Sequence, residues 1–186
     1  LRDLITPVDA IELLKKGNER FVNNLKMNRN LLQQMNETSD GQHPFAVILS
    51  CIDSRVPAEL IFDQGLGDIF SIRIAGNFIN EDILGSMEFA CKIAGSRLVV
   101  VLGHSSCGAI KGACDSVELG NLTSLLRKIN PAIQAVQESG DRSSANNAYV
   151  QNVADKNVEL AMQNLMKDSP VLAEMINSGA VGLVGG

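Results

Sequence analysis

Cys51, Asp53, Arg55, His104 and Cys107 are the residues whose types and spacing could do chemistry in this chain. Cys51 closes the apolar run Phe45-Ala46-Val47-Ile48-Leu49-Ser50 and leads into Ile52-Asp53-Ser54-Arg55. A second run, Leu98-Val99-Val100-Val101-Leu102-Gly103, leads into His104-Ser105-Ser106-Cys107-Gly108. Two thiols and an imidazole at strand ends make a three-ligand zinc site, and three protein ligands plus a solvent position is the catalytic pattern. A structural site of four thiolates would show two Cys-x-x-Cys pairs, and the sequence has none. Without their neighbours, Cys51 and Cys107 read equally well as buried strand-end thiols, and His104 as a loop histidine satisfied by backbone. Asp53 and Arg55 shift that balance. Just past a buried strand, unpaired charge is costly and a paired carboxylate and guanidinium is tolerated.

The elements that must position these residues follow from hydrophobic pattern. Short β-branched runs at 45–50, 68–74, 97–102 and 180–185 read as strands, with helices at 57–64, 81–94, 107–116, 121–138, 145–167 and 170–178. Pro57 and Pro131 mark helix starts or kinks; Gly95 and Gly179 are natural stops. Continuous Val/Ile/Leu runs separated by helices predict an α/β fold, a mostly parallel central sheet covered on both faces. In such sheets ligands collect beyond the carboxyl ends of the strands, where Cys51 and His104 fall. Before the first strand, Thr6-Pro7 opens an amphipathic helix with Ala10, Leu13, Leu14, Gly17 and Phe21 on its apolar face. Residues 22–41 are polar and read as a second helix or a surface arm. The final strand reaches the last residue, as in a chain whose native form runs past Gly186.

Composition narrows the classes. At 186 residues the chain fits one domain over 1–186, large enough for a full core without staples. A net charge of −5 with no basic cluster argues against nucleic acid, and a chain with no Trp and one Tyr lacks stacking platforms. No run approaches the ~18 apolar residues of a membrane helix. Leu1-Arg2-Asp3-Leu4 is not a signal peptide, yet the missing initiator Met allows for a leader removed upstream. The expected compartment is cytoplasmic, with the periplasm as the alternative. Four cysteines do not make a disulfide scaffold; Cys91 and Cys114 read as small buried apolar residues. His43 reads as an exposed loop residue.

Cys51-Ile52-Asp53-Ser54-Arg55 with His104-Ser105-Ser106-Cys107 resembles the Cys-x-Asp-x-Arg and His-x-x-Cys pair of the β-class carbonic anhydrases. Arg55-Val56-Pro57-Ala58-Glu59, Gly65-Leu66-Gly67-Asp68, Arg73-Ile74-Ala75-Gly76-Asn77 and Leu84-Gly85-Ser86-Met87-Glu88-Phe89-Ala90 resemble the family in order and spacing. The resemblance implies four strands in the order 2-1-3-4, an amino-terminal helical arm, and one Zn²⁺ per subunit on Cys51, His104 and Cys107. It implies reversible hydration of carbon dioxide to bicarbonate by hydroxide that zinc draws from water, in a homodimer or a dimer of dimers. Two thiolates offset the charge of the ion, so the zinc should acidify water less than one on three imidazoles, and Asp53 should matter more for orienting the hydroxide. Arg55 would keep Asp53 ionised and aimed. Gly108 would let substrate approach and offer its N–H to a bicarbonate oxygen.

Some members of the family have a state in which the aspartate replaces water on zinc, and a bicarbonate inhibitory site with a Trp three residues before the first cysteine. This chain has Ile48 there. Arg73 matches the arginine of that site but occurs in both subtypes. The constitutively open subtype resembles the chain at Gln42, nine residues before Cys51, and at Phe70 and Phe89 as pocket wall. Gln42 would then touch substrate across a dimer interface. Ala75 stands where that subtype can carry Val. Plain core packing for the two phenylalanines and a solvated loop for Gln42 are the bland counterparts. Three further functions stay open or fall. Hydrolysis of carbonyl sulfide or carbon disulfide would use the same hydroxide. A zinc-storing dimer would need no charged pair. A nucleotide-binding module lacks its Gly-rich turn.

Overall fold

The computed structural model describes residues 5–186; Leu1–Leu4, read above as no signal peptide, lie outside the described residues. Four parallel strands, β1 (Ala46–Ser50), β2 (Ile69–Arg73), β3 (Leu98–Leu102) and β4 (Gly182–Gly185), form one sheet in the order β2-β1-β3-β4. The expected sheet, its order and its flanking helices are all present. Every residue of β1 is buried because it has a strand on each side and a helical layer on each face. Val47, Leu49, Val99 and Val101 point to one layer, with Met87, Leu165 and Leu172. Ala46, Ile48, Leu98 and Val100 point to the other, with Ala10, Leu14 and Ala58. The alternation is the period-2 geometry of a strand. β4 is an edge strand and only half-buried, not the buried strand its apolar sequence suggests.

The helices are α1 (Pro7–Val22), α2 (Leu31–Glu37), α3 (Ala58–Ile61), α4 (Glu81–Glu88), α5 (Gly108–Cys114), α6 (Gly120–Arg127), α7 (Asn130–Ala135), α8 (Asn147–Asp168) and α9 (Pro170–Asn177). Thr6 caps α1 in a reciprocal box: the Asp9 N–H donates to Thr6 Oγ1 at 3.2 Å, and the Thr6 N–H donates to Asp9 Oδ2 at 2.9 Å. Of its expected apolar face, Ala10, Leu14 and Gly17 are buried, while Leu13 and Phe21 remain exposed. The helix expected over 121–138 divides into α6 and α7, because Pro131 brings no N–H to a continuous ladder and starts a new helix instead. The one expected over 81–94 widens into a π-helical turn at Phe89–Ile93. Between 22 and 41 only α2 is helical.

An ion cluster pins this amino-terminal arm to the body. Asp63, buried and at φ +45°, accepts from Arg20 Nε at 2.5 Å, from Arg29 Nη1 at 2.5 Å and from the Met27 N–H at 3.2 Å. Burial alone would raise its pKa, but the two guanidiniums prevail and hold it at about 2.

Candidate metal centre

Parallel pairing puts the carboxyl ends of three strands on one edge of the sheet. Ser50 is level with Arg73 on β2 and with Leu102 on β3. The chain leaving β1 therefore carries Cys51 and Asp53 into the space that receives His104 and Cys107 from the loop after β3. Ser106, at φ +54°, takes the left-handed conformation that ends this loop, and Cys107 is the N-cap of α5.

The Sγ atoms of Cys51 and Cys107 are 3.9 Å apart, and with a ring nitrogen of His104 they form a group lying within 4.8 Å of one another. No other such group of three occurs among the described residues. Both thiols are buried, in an apolar cluster with Ile110, Ile129, Tyr149 and Val153 that shields the sulfurs from below. The His104 Nδ1–H donates to the Ser105 carbonyl at 3.0 Å, which fixes the tautomer and leaves a lone pair on Nε2. That Nε2 is buried with no hydrogen-bond partner, a costly state for a polar atom unless a metal fills it. Two soft sulfurs, one imidazole and a partnerless buried nitrogen fit zinc.

The sulfurs are prepared unequally. The hydrogen bond with Cys107, and then the Gly76 N–H, push Cys51 toward thiolate against the opposing effect of burial. The same shared proton and burial push the Cys107 thiol up, partly offset by the Ile110 and Ala109 N–H groups at the start of α5. The two shifts run in opposite directions through one sulfur–sulfur contact, and a dication bound by both thiolates would displace any proton held between them.

Asp53 stands beside this group, its Oδ2 3.9 Å from His104 Nε2. Arg55 grips both of its oxygens, Nε to Oδ1 at 2.9 Å and Nη2 to Oδ2 at 2.8 Å, while the Arg55 N–H adds a third bond to Oδ1 at 3.0 Å. These bonds hold the Asp53 carboxyl well below the usual carboxylate range. Arg55 Nη2 also reaches the Ser106 carbonyl at 3.4 Å, joining the two loops.

The other expected site residues are placed differently. Gln42 is exposed and lies before the amino end of β1, whereas Cys51 follows its carboxyl end, so one chain does not bring them together. Phe70 and Phe89 meet edge to face, 6.2 Å between ring centres, and line an open groove of about 640 Å³ with Ser71, Ile72, Gly85 and Ser86 along the outer edge of β2. Gly108 is the first residue of α5, and a Cβ there would meet nothing within 4 Å. Arg73, singled out by sequence only for its family position, donates to the carbonyls of Cys51 at 2.9 Å and Asp53 at 2.6 Å, clamping the turn that presents both. Asn157 was missed. A polar residue on the buried stripe Val150, Val153, Ala154, Val158, Ala161 of α8 was the signal that could have found it.

Comparison with known proteins agrees with this geometry. The family model for carbonic anhydrase matches residues 46–186. Carbonic anhydrase 2 of Mycobacterium tuberculosis is 36% identical over 185 residues, covering 96% of this chain and 86% of that protein. The carbonic anhydrase of Mycolicibacterium smegmatis is 35% identical, with 96% and 87% covered. Among solved structures, a tetrameric β-carbonic anhydrase of Sordaria macrospora superposes with a TM-score of 0.70 at 23% identity, covering 81% of this chain and 78% of that one. Fold, donor set and sequence meet in one family: this chain belongs to the β-class carbonic anhydrases, which are zinc lyases.

Proposed function

We propose that the chain hydrates carbon dioxide reversibly to bicarbonate and a proton, with one zinc per subunit on Cys51, His104 and Cys107. The observation that carries this reading is the buried, partnerless Nε2 of His104 facing two sulfurs, with the Arg55-held carboxylate of Asp53 beside it. When bound, zinc makes hydroxide available from water near neutral pH. Asp53 stays ionised and accepts a hydrogen bond from the attacking oxygen, so that its lone pair faces the substrate carbon. Arg55 supplies the charge and the rigid fork that keep Asp53 in that orientation. The apolar cluster beneath the sulfurs keeps water from that side. Bare space at Gly108 leaves room for the substrate, with its N–H turned to bicarbonate oxygen.

The open subtype has support in two contacts. Both oxygens of Asp53 are engaged by Arg55, and the Arg73 guanidinium is spent on the Cys51 and Asp53 carbonyls rather than facing an anion. We place Gln42 at the active site of a second copy, where it touches substrate, with Phe70 and Phe89 as apolar wall of the cleft between copies. Leu25, Leu31, Leu32 and Met35 of the arm and Phe89 on the body are exposed, apolar surface that a homodimer or a dimer of dimers would cover.

Metal analysis of the purified protein, coupled to a carbon dioxide hydration assay, tests the reading. One zinc per chain with turnover that disappears on chelation is the expected result; metal without turnover overturns it.

A further inference from the structure

The Cys51 sulfur receives a hydrogen bond from outside the metal group, and that bond has a support of its own. The Gly76 N–H points at Cys51 Sγ across 3.4 Å. It does so from a tight turn after β2: Ile74 N–H bonds the Ser50 carbonyl at 3.1 Å, and the Asn77 N–H bonds back to the Ile74 carbonyl at 3.0 Å. Gly76 sits at φ +80° and Asn77 at φ +37°, a backbone that does not hold itself. The support comes from α8. Asn157 Nδ2 donates to the Gly76 carbonyl at 2.7 Å, and the bond is fully buried. Asn157 itself is 5% exposed, on a helix face whose other buried members are Val, Ala, Leu and Tyr149. Asparagine is a poor helix former, and a buried amide is costly without a partner, so packing alone does not explain its place.

We propose that Asn157 is a positioning residue for the metal-binding thiolate: by anchoring the Gly76 carbonyl it aims the Gly76 N–H at Cys51 Sγ. A hydrogen bond to a ligand sulfur draws electron density from it and fixes its direction, so Asn157 sets how strongly Cys51 donates to the metal without touching it. This inference rests on Cys51 being a metal ligand, as proposed above.

The test uses the full chain loaded with zinc or with cobalt(II), comparing wild type with Asn157→Leu and the milder Asn157→Ser. Leu165→Ala serves as control, since Leu165 is fully buried two turns along the same helix in a different cluster. Expected for each Asn157 variant that folds by circular dichroism is a loss of zinc affinity of roughly 10-fold or more in chelator competition, because losing the fixed direction of Cys51 outweighs its stronger donation. The sulfur-to-cobalt charge-transfer band should move to longer wavelength as the sulfur regains electron density. Leu165→Ala should melt earlier with both metal readouts unchanged. Wild-type affinity and wild-type band position in a folded Asn157 variant overturn the inference, as does an equal band shift in Leu165→Ala. A wild-type chain that takes up neither metal overturns the metal site itself, a result distinct from unchanged variants on a metal-binding wild type.

Discussion

Arg55 holds Asp53 by a two-pronged grip, 2.9 Å to one carboxylate oxygen and 2.8 Å to the other, and the gripped carboxylate lies beside His104. The pair is local, two residues apart, yet Arg55 also touches the Ser106 carbonyl of the second loop. Orientation of Asp53 is thus tied to the position of the loop that carries His104 and Cys107. Asp53→Ala should keep zinc and lose turnover by about 10²–10³, in the range of a positioned proton acceptor. Steady-state hydration rates and zinc content on the same sample check this; a full rate at neutral pH excludes the orienting role. Arg55→Lys should cost part of the same factor, because a lysine cannot reproduce the fork.

Cys51→Ser and His104→Ala each remove one of three ligands and should abolish both zinc and activity. Loss of one donor atom leaves two of the group of three, fewer than the three protein ligands that a catalytic zinc site uses. Zinc quantified after dialysis is the measurement, and retention of one equivalent by either variant would show that the substituted residue is not a required ligand.

Metal uptake should release protons, and the sign follows from the sulfurs. Cys51 is pushed toward thiolate and Cys107 is held as thiol, so the metal-free pair carries about one proton between them near neutrality. Zinc requires both as thiolates. Zinc affinity should therefore rise with pH across neutrality and fall in acid, as protons compete for the sulfurs. Titration calorimetry in buffers of different ionisation enthalpy reads the released proton; none released at pH 7 contradicts the shared-proton geometry.

Asp63 offers a stability test away from the site. Its folded pKa is lowered to about 2, below the ordinary carboxylate value of ~3.9, so its contribution is present above the unfolded value and lost as pH falls through the folded one. Acid should loosen the amino-terminal arm between about pH 4 and pH 2. Asp63→Asn should remove that dependence and lower Tm by roughly 5 °C, taking ~2 kcal/mol for its charge-assisted bonds. Limited proteolysis around residues 23–30 would show the freed arm.

The sheet and the metal group were legible in sequence for the same reason. Buried parallel strands are written as continuous Val/Ile/Leu runs, and the residues just after them face the ligand side; Cys51 and His104 follow from those two facts. Beyond the Asp53–Arg55 pair, what sits around the group was not legible. Arg73 spends its guanidinium on main-chain carbonyls, Gly76 contributes only an N–H, and Asn157 acts through that glycine, so none advertises itself by type. The π-helical turn at Phe89–Ile93 has no periodic signature distinct from the helix that it interrupts. Gln42 and the Phe70–Phe89 pair lie off the metal group within one chain because strand direction separates the two ends of β1, a fact that residue spacing alone conceals.

The pairing of β1 with β3 has a consequence in time as well as in space. Cys51 and Cys107 stand 56 positions apart, and between them lie β2, α4 and β3 itself. Closing so long a loop is slow for topological reasons, while its entropic cost grows only as the logarithm of its length. The two sulfurs become neighbours once the central strands have zipped together. A zinc ion held as proposed would therefore be captured by a finished sheet rather than template the fold as it does in a small finger domain, and until then each newly made thiol would wait alone.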